Sequence, residues 1–300
     1  MILIGIDGGG TKTSCAAYRD GELIASARSG PMNYNFVGVC QAAENLLEGI
    51  AALGIPSDEI AAVGIGDPSI DDLMPSDPQS LTAKFVAMIS GQLGVPVFVR
   101  SDAYITLFGL TGGGKPGVLM LSGTGAMGIA EDAEGKISVA GGWGRLTGDE
   151  GSGYYIASEA IKAALHSADE IAPPTALTDA LTDYFGAENV RGLIPMFYPE
   201  EGEPDIAGFS RAAAECAEKG DECAKKILLA AAGYLAAYTC ALIEKSGSET
   251  VGVYGSVITG NAIVRKEFER IVLGKYPDCR ITEPPVSPEK AAAMYAGYMI

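Results

Sequence analysis

The sequence predicts an α/β protein made of two related domains that face each other across a cleft. Its 300 residues amount to about two domains of typical size. Each half opens with strand-like runs and continues with helical patterns, and the order restarts after a Gly-Gly-Gly-Lys-Pro segment at 112–116. The composition, 48% hydrophobic and 20% charged, is that of a chain that folds around its own core.

The first half begins with three strands. An apolar run, Ile2 to Asp7, comes first, and Asp20-Gly21 is a hairpin turn signal between the runs at 13–19 and 22–28. The hydrophobic pattern then predicts, in order, a helix at 39–53, a strand at 60–66, a helix at 79–93, a strand at 95–100 and a helix at 103–110.

The second half repeats this order and adds helices. Strand patterns cover 118–122, 126–131 and 136–140, with a glycine turn between the first two. They are followed by helices at about 152–166, 174–185, 205–218 and 221–245, a strand at 250–254, a helix at 261–273, a strand at 279–282 and a helix from 287. The final helix begins Ser287-Pro288-Glu289, a capping residue followed by proline and an acid.

The repetition predicts where the domains begin and end. We expect an N-terminal domain at 1–111, completed by the C-terminal helix at 287–300. We expect a C-terminal domain at 112–286, with a helical insert at about 152–246.

Charge and residue usage exclude several classes of function. The 21 basic and 38 acidic residues give a net charge of −17, which disfavours nucleic acid and anionic membrane surfaces as partners. With one histidine, His166, the chain can build neither a Ser-His-Asp nor a Cys-His relay, and no multi-histidine metal site. Carboxylates and backbone amides must therefore carry the chemistry.

The cysteine pattern and the apolar segments indicate a cytoplasmic protein. The six cysteines contain no C-x-x-C pair, which suits neither a zinc ribbon nor an iron–sulfur cluster and predicts reduced thiols. The start of the chain lacks the basic stretch and long apolar core of a signal peptide. The longest apolar stretch, 227–243, is interrupted by polar residues and continues a charged helix, so we expect a buried helix there and no membrane span.

A glycine turn follows the first strand. Gly8, Gly9 and Gly10 allow the backbone to approach a polyanion, while Thr11 and Lys12 add donors. Asp7, at the end of the strand, is placed to hold a hydrated magnesium ion between phosphate oxygens. Because a strand and no helix follows, the turn is neither a Walker A loop nor a dinucleotide fingerprint, and a plain tight turn is an equal alternative.

Two further glycine clusters lie in the second half. Ser122-Gly123-Thr124-Gly125 stands at the matching position, so two such turns facing each other would clamp a triphosphate. The segment 141–152 combines five glycines with Trp143 and Asp149-Glu150, the indole and acids that a sugar site uses. The alternative for this segment is a flexible, solvated loop.

These motifs together carry a family resemblance. GIDGGGTKT at 5–13, GPMNYNFVG at 30–38, SDA at 101–103, SGTG at 122–125 and GGWGRLTGDEGS at 141–152 occur in this order. The combination resembles the N-acetylglucosamine kinase branch of the BadF/BadG/BcrA/BcrD ATPase family. That family belongs to the sugar kinase, actin and heat-shock chaperone superfamily. The resemblance implies two ribonuclease H-like (actin-like ATPase) domains flanking a nucleotide and sugar cleft.

The resemblance also implies roles for single residues. Asp102 takes the place of the general base, with helix N-cap as its alternative role. The nucleotide-contacting positions are Gly9, Gly10, Thr11, Lys12, Gly123, Thr124, Gly125, Gly255 and Ser256, and Asp7 is the magnesium ligand. The sugar-contacting positions are Asn33, Asp102, Ala126, Gly142, Trp143 and Asp149.

The implied activity is transfer of the γ-phosphoryl group of ATP, with Mg²⁺, to the 6-hydroxyl of an amino sugar. N-acetylglucosamine is the first choice, with glucosamine, N-acetylmuramic acid and glucose as alternatives, because Ala126-Met127 replaces a serine common after the second glycine turn. A homodimer is expected from the family.

Two other classes of function compete with the kinase. One is an ATPase that drives a partner, like the activators of acyl-CoA dehydratases, which would need clustered cysteines at a dimer interface. The other is a structural or regulatory actin-like protein that binds nucleotide and polymerises or senses a sugar without turnover. The cluster from Trp143 to Ser152 argues against a filament, which has no need of a sugar pocket. The zinc-binding cysteine cluster of the neighbouring repressor, open-reading-frame and kinase family is absent from the sequence.

Overall fold

Five strands form the first sheet of the protein. The computed structural model describes residues 1–9, 11–70, 72–73, 77–198, 202 and 204–300. The strands are β1 (Ile2–Gly8), β2 (Thr13–Arg19), β3 (Glu22–Ser29), β4 (Ile60–Gly66) and β5 (Val97–Arg100). They are ordered β3-β2-β1-β4-β5; β1, β2 and β3 pair antiparallel, and β4 pairs parallel with both β1 and β5. The carboxyl ends of β1, β4 and β5 therefore meet at one edge of the sheet.

The helices of the first half cover this sheet. They are α1 (Tyr34–Val37), α2 (Val39–Ala51), α3 (Leu81–Leu93) and α4 (Asp102–Thr111). Ile4 and Ile6 of β1 are fully buried and join one hydrophobic cluster with Leu46 of α2 and Phe85 of α3. Apolar residues of both helices thus fix the ends of the strands that carry the acids described below.

Five further strands form the second sheet, in the order β10-β9-β6-β7-β8. They are β6 (Gly117–Ser122), β7 (Ala126–Glu131), β8 (Ile137–Gly141), β9 (Thr250–Tyr254) and β10 (Arg280–Thr282). The remaining helices are α5 (Gly153–Ala168), α6 (Leu177–Phe185), α7 (Ile194–Phe197), α8 (Phe209–Glu218), α9 (Glu222–Ser246), α10 (Ser256–Gly260), α11 (Ala262–Lys275) and α12 (Pro288–Met299). Short 3-10 turns lie at Ser57–Glu59 and Val190–Leu193.

The chain divides into two compact units. Unit 1 comprises Met1–Leu119, Ile129–Ser138 and Glu283–Ile300. Unit 2 comprises Met120–Gly128 and Val139–Thr282. The expected α/β fold of the actin-like ATPases is confirmed by the two sheets and by the structural similarity given below.

The last helix, α12, packs across the first sheet in unit 1. It contacts β1, β4 and α4. Gly5 and Gly64 lie at the crossing, where a Cβ at either position would overlap the main chain of the helix. Glycine at these two positions lets α12 approach the strands and brings Glu289 close to the end of β1.

The long helix α9 is the apolar helix anticipated from the sequence. It has 25 residues, and an 18-residue window within it has a mean hydropathy of 1.7. By length and composition alone the helix could cross a membrane, contrary to the expectation that its polar interruptions rule this out. Half of that window is buried, and the helix packs against α5, α8 and α11 of the same unit. These contacts are those of a core helix of unit 2.

Candidate active site

Three aspartates follow the parallel strands of the first sheet. Asp7 is the penultimate residue of β1, Asp67 follows β4 directly, and Asp102 follows β5 after one residue. Because the three strands are parallel neighbours, all three acids lie at the same edge of the sheet. Ligands of open α/β sheets bind at this edge, so it is the candidate site of unit 1.

Asp102 is the first residue of α4. Ser101 caps the helix by accepting a hydrogen bond from the Tyr104 backbone N–H at 2.9 Å. One carboxylate oxygen of Asp102, Oδ1, accepts from the Ala103 N–H at 2.8 Å. Burial raises the pKa of Asp102, and the neighbouring Asp72 raises it further. The N-cap is Ser101, so the alternative role that we considered for Asp102 belongs to its neighbour.

Asp7 lies among other acids. Burial raises its pKa to about 6, and the negative charges of Glu289 and Asp102 contribute in the same direction. Lys12 opposes this shift with its positive charge. A cation would relieve the repulsion between these carboxylates, and oxygen donors suit Mg²⁺. Within the described residues, however, no three acid, cysteine or histidine side chains are close enough to hold a metal by themselves.

The first glycine turn is held against the segment that begins at Gly30. The Met32 N–H donates to the Gly9 carbonyl at 3.1 Å, and a Cβ at Gly9 would lie 2.7 Å from the Lys12 carbonyl oxygen. Thr11 and Lys12 are exposed, and Gly10 lies outside the described residues. Asn33 caps α1 through its side-chain oxygen, which accepts from the Asn35 N–H at 3.1 Å. The turn and Asn33 are thereby brought into one region of unit 1.

The second glycine turn is fixed to the start of α5 in unit 2. The Gly153 N–H donates to the Gly123 carbonyl at 2.7 Å, and the Tyr154 N–H donates to the Thr124 carbonyl at 3.2 Å. The Gly123 N–H donates to the Gly125 carbonyl at 2.9 Å. These bonds hold the turn rigidly, with Thr124 exposed.

Asp149 connects the third glycine cluster to the second turn. Its Oδ1 accepts from the Gly144 N–H at 3.2 Å, and a Cβ at Gly125 would meet its Oδ2 at 3.0 Å. Burial raises the pKa of Asp149, while backbone N–H groups of Gly144 and Ala126 oppose the shift. Its φ of 60° is left-handed, a strained conformation for a residue with a side chain.

Three other positions that the sequence assigns to sugar binding lie near Asp149: Gly142 and Trp143 in the same loop, and Ala126 at the start of β7. The Gly142 N–H donates to the Ala126 carbonyl at 3.0 Å. The Trp143 side chain is 78% exposed and therefore available to a ligand. Gly142, Trp143, Ala126 and Asp149 are thus neighbours in unit 2.

Gly255 brings the end of β9 onto the second glycine turn. Its φ of 105° is a backbone conformation that glycine adopts readily and other residues rarely do. A Cβ there would overlap the Ser122 carbonyl. Ser256 then begins α10. Three glycine segments that are far apart in sequence therefore converge within unit 2.

A cavity of about 520 Å³ opens beside this convergence. Its lining includes residues predicted from the sequence, Gly123, Thr124 and Ser256. It also includes side chains that sequence reasoning missed, among them Tyr184, Asp205, Arg211 and Glu215. These four belong to the helical insert, where an amphipathic pattern gives no sign of which face lines a cavity.

Two acids of unit 1 were also missed. Asp67 is fully buried; its Oδ1 accepts from the Ser69 N–H at 2.7 Å, and its Oδ2 has no hydrogen-bond partner within the described residues. Asp72 is paired with Arg100 at 2.7 Å. The position of Asp67 after an apolar strand is the signal that could have found it, since Asp102 was found in that way.

Comparison with known proteins finds relatives that match nearly the whole chain. N-acetyl-D-glucosamine kinase of Dictyostelium discoideum is 31% identical over 98% of this chain and 97% of its own length. N-acetylmuramic acid/N-acetylglucosamine kinase of Clostridium acetobutylicum is 31% identical over 93% of this chain and 92% of its own. A crystal structure from Chromobacterium violaceum, proposed to be an N-acetylglucosamine kinase, superposes with a TM-score of 0.74 at 22% identity and covers 98% of both chains.

The family assignment rests on nearly the whole sequence. The model of the BadF/BadG/BcrA/BcrD ATPase family matches residues 4–296, which include every motif described above. Both curated relatives align over the same extent of the chain. The chain therefore belongs to the BadF/BadG/BcrA/BcrD ATPase family.

Proposed function

We propose that this protein is an ATP-dependent kinase that phosphorylates the 6-hydroxyl of N-acetylglucosamine. The observation that carries the proposal is Asp102, a half-buried carboxylate at the carboxyl end of β5 whose pKa is raised by desolvation. The two curated relatives, which are named as kinases of N-acetylglucosamine, support the choice of reaction and of sugar. They also favour a kinase over an ATPase that drives a partner.

Asp102 would act as the general base. Its Oδ1 accepts a hydrogen bond from the Ala103 N–H, which leaves its Oδ2 as the candidate to receive a proton. That oxygen would accept the proton of the sugar hydroxyl as the hydroxyl oxygen bonds to the γ-phosphorus and the bond to ADP breaks. Phosphoryl transfer demands mainly positioning and charge stabilisation, so a carboxylate base suffices without histidine.

The glycine segments of unit 2 would bind the nucleotide. Thr124 and the backbone N–H of Gly125 offer hydrogen-bond donors to phosphate oxygens. The 520 Å³ cavity beside them is large enough for a nucleoside and is bordered by Ser256. In unit 1, Thr11, Lys12 and the turn at Gly9 would supply donors of the same kind.

Magnesium would enter as the MgATP complex. Asp7 fits it as a ligand because its carboxylate lies near two other acids and gains from a cation. The ion would neutralise charge on the phosphates, and this net-acidic chain has few cations of its own for that purpose.

The sugar contacts are assigned to two regions. Asn33 and Asp149 are each proposed to exchange hydrogen bonds with sugar hydroxyls. Trp143, exposed in the loop of Asp149, would cover an apolar face of the ring, with Gly142 beside it and Ala126 hydrogen-bonded to Gly142. N-acetylmuramic acid is the second candidate substrate, since one relative is named for both sugars. A cytoplasmic location and a homodimer remain predictions.

The direct test is an ADP-release assay with purified protein across N-acetylglucosamine, N-acetylmuramic acid, glucosamine and glucose, each with and without Mg²⁺. We expect sugar-dependent release that needs Mg²⁺ and is greatest with N-acetylglucosamine. Release that does not depend on any of the sugars would refute the kinase.

The base is tested by Asp102→Asn, which preserves the shape of the side chain. We expect kcat to fall by about 100-fold to 10,000-fold, the range for removal of a general base, with ATP affinity retained. Asp58→Asn, an exposed acid of the same unit, is the matched control and should leave kcat unchanged. Near-normal turnover of Asp102→Asn would disprove the assignment.

A further inference from the structure

We infer that Asp72 is a positioning residue that orients Asp102 through Ser101. The inference rests on the proposed function, in which Asp102 is the base, and adds a residue that neither the sequence nor the comparisons assign. Asp72 lies between β4 and α3, in the same unit as the base.

Both oxygens of the Asp72 carboxylate are used. Oδ1 accepts from Arg100 Nε at 2.7 Å and from the Ser101 backbone N–H at 3.4 Å. Oδ2 accepts from the Ser101 hydroxyl. The Asp72 side chain is only 3% exposed, so these bonds form away from water, where charge-assisted hydrogen bonds are strong.

Ser101 passes this constraint to the helix. Its hydroxyl donates a hydrogen bond to Asp72 and accepts one from the Tyr104 N–H at 2.9 Å, so it acts as donor and acceptor at the same time. The donor bond selects one rotamer of Ser101, and the acceptor bond sets where the helix begins. Asp102 is the next residue, so these bonds of Ser101 also hold the main chain at Asp102 in place.

Arg100 completes the support. Its guanidinium pairs with Asp72 and lies 3.6 Å from the centroid of the Tyr104 ring. The buried Asp72 carboxylate is therefore neutralised by a cation that is itself held by the helix of the base. Arg100 and Ser101, the two residues before Asp102 in the chain, are thus both attached to one side chain from another segment.

A base must be placed accurately to be effective. The hydrogen bonds to the Asp102 carboxylate come from backbone N–H groups at the start of α4, those of Asp102 itself and of Ala103. The direction of the carboxylate is therefore set by the start of α4, which Asp72 holds. A displacement of about 1 Å can cost on the order of 100-fold in rate.

The first experiment compares Asp72→Ala with Asp77→Ala. Asp77 is an exposed acid of the same segment that accepts from the Gln79 N–H and has no hydrogen bond to Ser101. We expect Asp72→Ala to lower kcat by roughly 10-fold to 100-fold while KM for ATP changes by less than about twofold. Asp77→Ala should behave as wild type. Unchanged kcat in Asp72→Ala would overturn the inference.

The second experiment asks whether Asp72 acts through the base. If it does, Asp72→Ala should change the residual kcat of Asp102→Asn by less than about twofold, because the group that it orients has lost its function. A merely structural role would lower kcat by the same factor in both backgrounds, and that result would overturn the inference.

Three further variants keep the test valid if Asp72→Ala misfolds. Asp72→Asn keeps the volume and an acceptor for Arg100, and Ser101→Ala removes only the hydroxyl that links Asp72 to the helix. We expect Ser101→Ala to lower kcat as Asp72→Ala does, and Ser101→Thr, which retains a hydroxyl, to recover most of it. Loss in Asp72→Ala with normal kcat in both Ser101→Ala and Asp72→Asn would also refute the inference. An inactive wild type would instead refute the proposed function.

Discussion

Gly255 shows how much the nucleotide region of unit 2 depends on a missing side chain. Its φ of 105° and the overlap that a Cβ would make with the Ser122 carbonyl exclude any other residue. We expect Gly255→Ala to lower the free energy of unfolding by roughly 2 to 4 kcal/mol, from backbone strain and overpacking together. We also expect weaker nucleotide binding, because the displaced Ser122 leads into the second glycine turn.

The control for this substitution is Gly247→Ala. Gly247 also has a left-handed φ, 65°, but a Cβ there meets nothing within 4 Å. Its replacement should cost about 1 kcal/mol and leave nucleotide affinity unchanged. Urea unfolding and calorimetric titration with ADP measure both effects; equal losses in the two variants would contradict the role given to Gly255.

Asp67 is a buried acid whose charge is poorly compensated. Burial raises its pKa, and its Oδ2 has no hydrogen-bond partner within the described residues. A carboxyl group whose pKa is raised by folding stabilises the native state at pH values below its unfolded pKa, and that stabilisation is lost as pH rises through the folded pKa. The neutral Asp67→Asn variant should therefore be more stable than wild type at pH 8, with a smaller difference near pH 4.

Thermal unfolding of both proteins across this pH range checks the sign. Asp77→Asn is the control, because Asp77 is exposed and also accepts from a backbone N–H two residues ahead, as Asp67 does. Its difference from wild type should stay nearly constant with pH. If wild type had a higher melting temperature than Asp67→Asn at pH 8, the Asp67 charge would be compensated in the folded protein.

At the scale of elements, α12 depends on glycines of the strands beneath it. A Cβ at Gly64 would overlap the carbonyl of Ala292 in α12, and backbone cannot move aside as a flexible side chain can. We expect Gly64→Ala to lower the free energy of unfolding by at least 1 to 3 kcal/mol, the usual cost of overpacking.

Gly91→Ala is the matched substitution, and we expect it to raise the free energy of unfolding where Gly64→Ala lowers it. Gly91 lies in α3, and a Cβ there would meet nothing within 4 Å. Alanine should stabilise this helix by about 0.5 to 1 kcal/mol. Chemical denaturation of both variants tests the pair, and a neutral Gly64→Ala would show that α12 can be displaced without cost.

Most elements were predictable because their signals are local. The strand from Ile2 ends at Gly8 in place of Asp7, and the helix predicted at 103–110 spans Asp102–Thr111. Alternation, turn glycines and capping residues act over a few positions, and they carry this information. The short helices α1, α7 and α10 did not show in the pattern, since four or five residues contain too little periodicity.

The site was predictable where it follows a strand or a glycine turn. Asp7, Asp102 and Asp149 belong to such segments, and their roles remain predictions that the variants above address. Asp72 was not predictable, because its importance lies in contacts with Arg100 and Ser101, about thirty positions away, which only tertiary packing creates. The side chains around the cavity of unit 2 depend on packing in the same way.

At the scale of the whole molecule, the excess of acids predicts how ions affect stability. The net charge of −17 opposes compaction, so added NaCl should raise the melting temperature by screening. Asp7, Asp67 and Asp102 concentrate part of this charge at one edge of the first sheet. These three carboxylates could bind a cation by themselves or only together with a bound nucleotide.

Among the described residues, no three acid, cysteine or histidine side chains are close enough together to hold a metal, so we expect Mg²⁺ to bind only together with a nucleotide. At equal ionic strength, 1 mM MgCl₂ should stabilise the protein no more than NaCl does, because Mg²⁺ keeps its waters unless phosphates join the site. MgATP at about 100 times its Kd should add roughly 2.7 kcal/mol, and the increment should shrink in Asp7→Asn. Scanning fluorimetry with NaCl, MgCl₂, ATP with EDTA, and MgATP separates these contributions. Strong stabilisation by MgCl₂ alone, abolished in Asp7→Asn, would instead identify a resident metal site in unit 1.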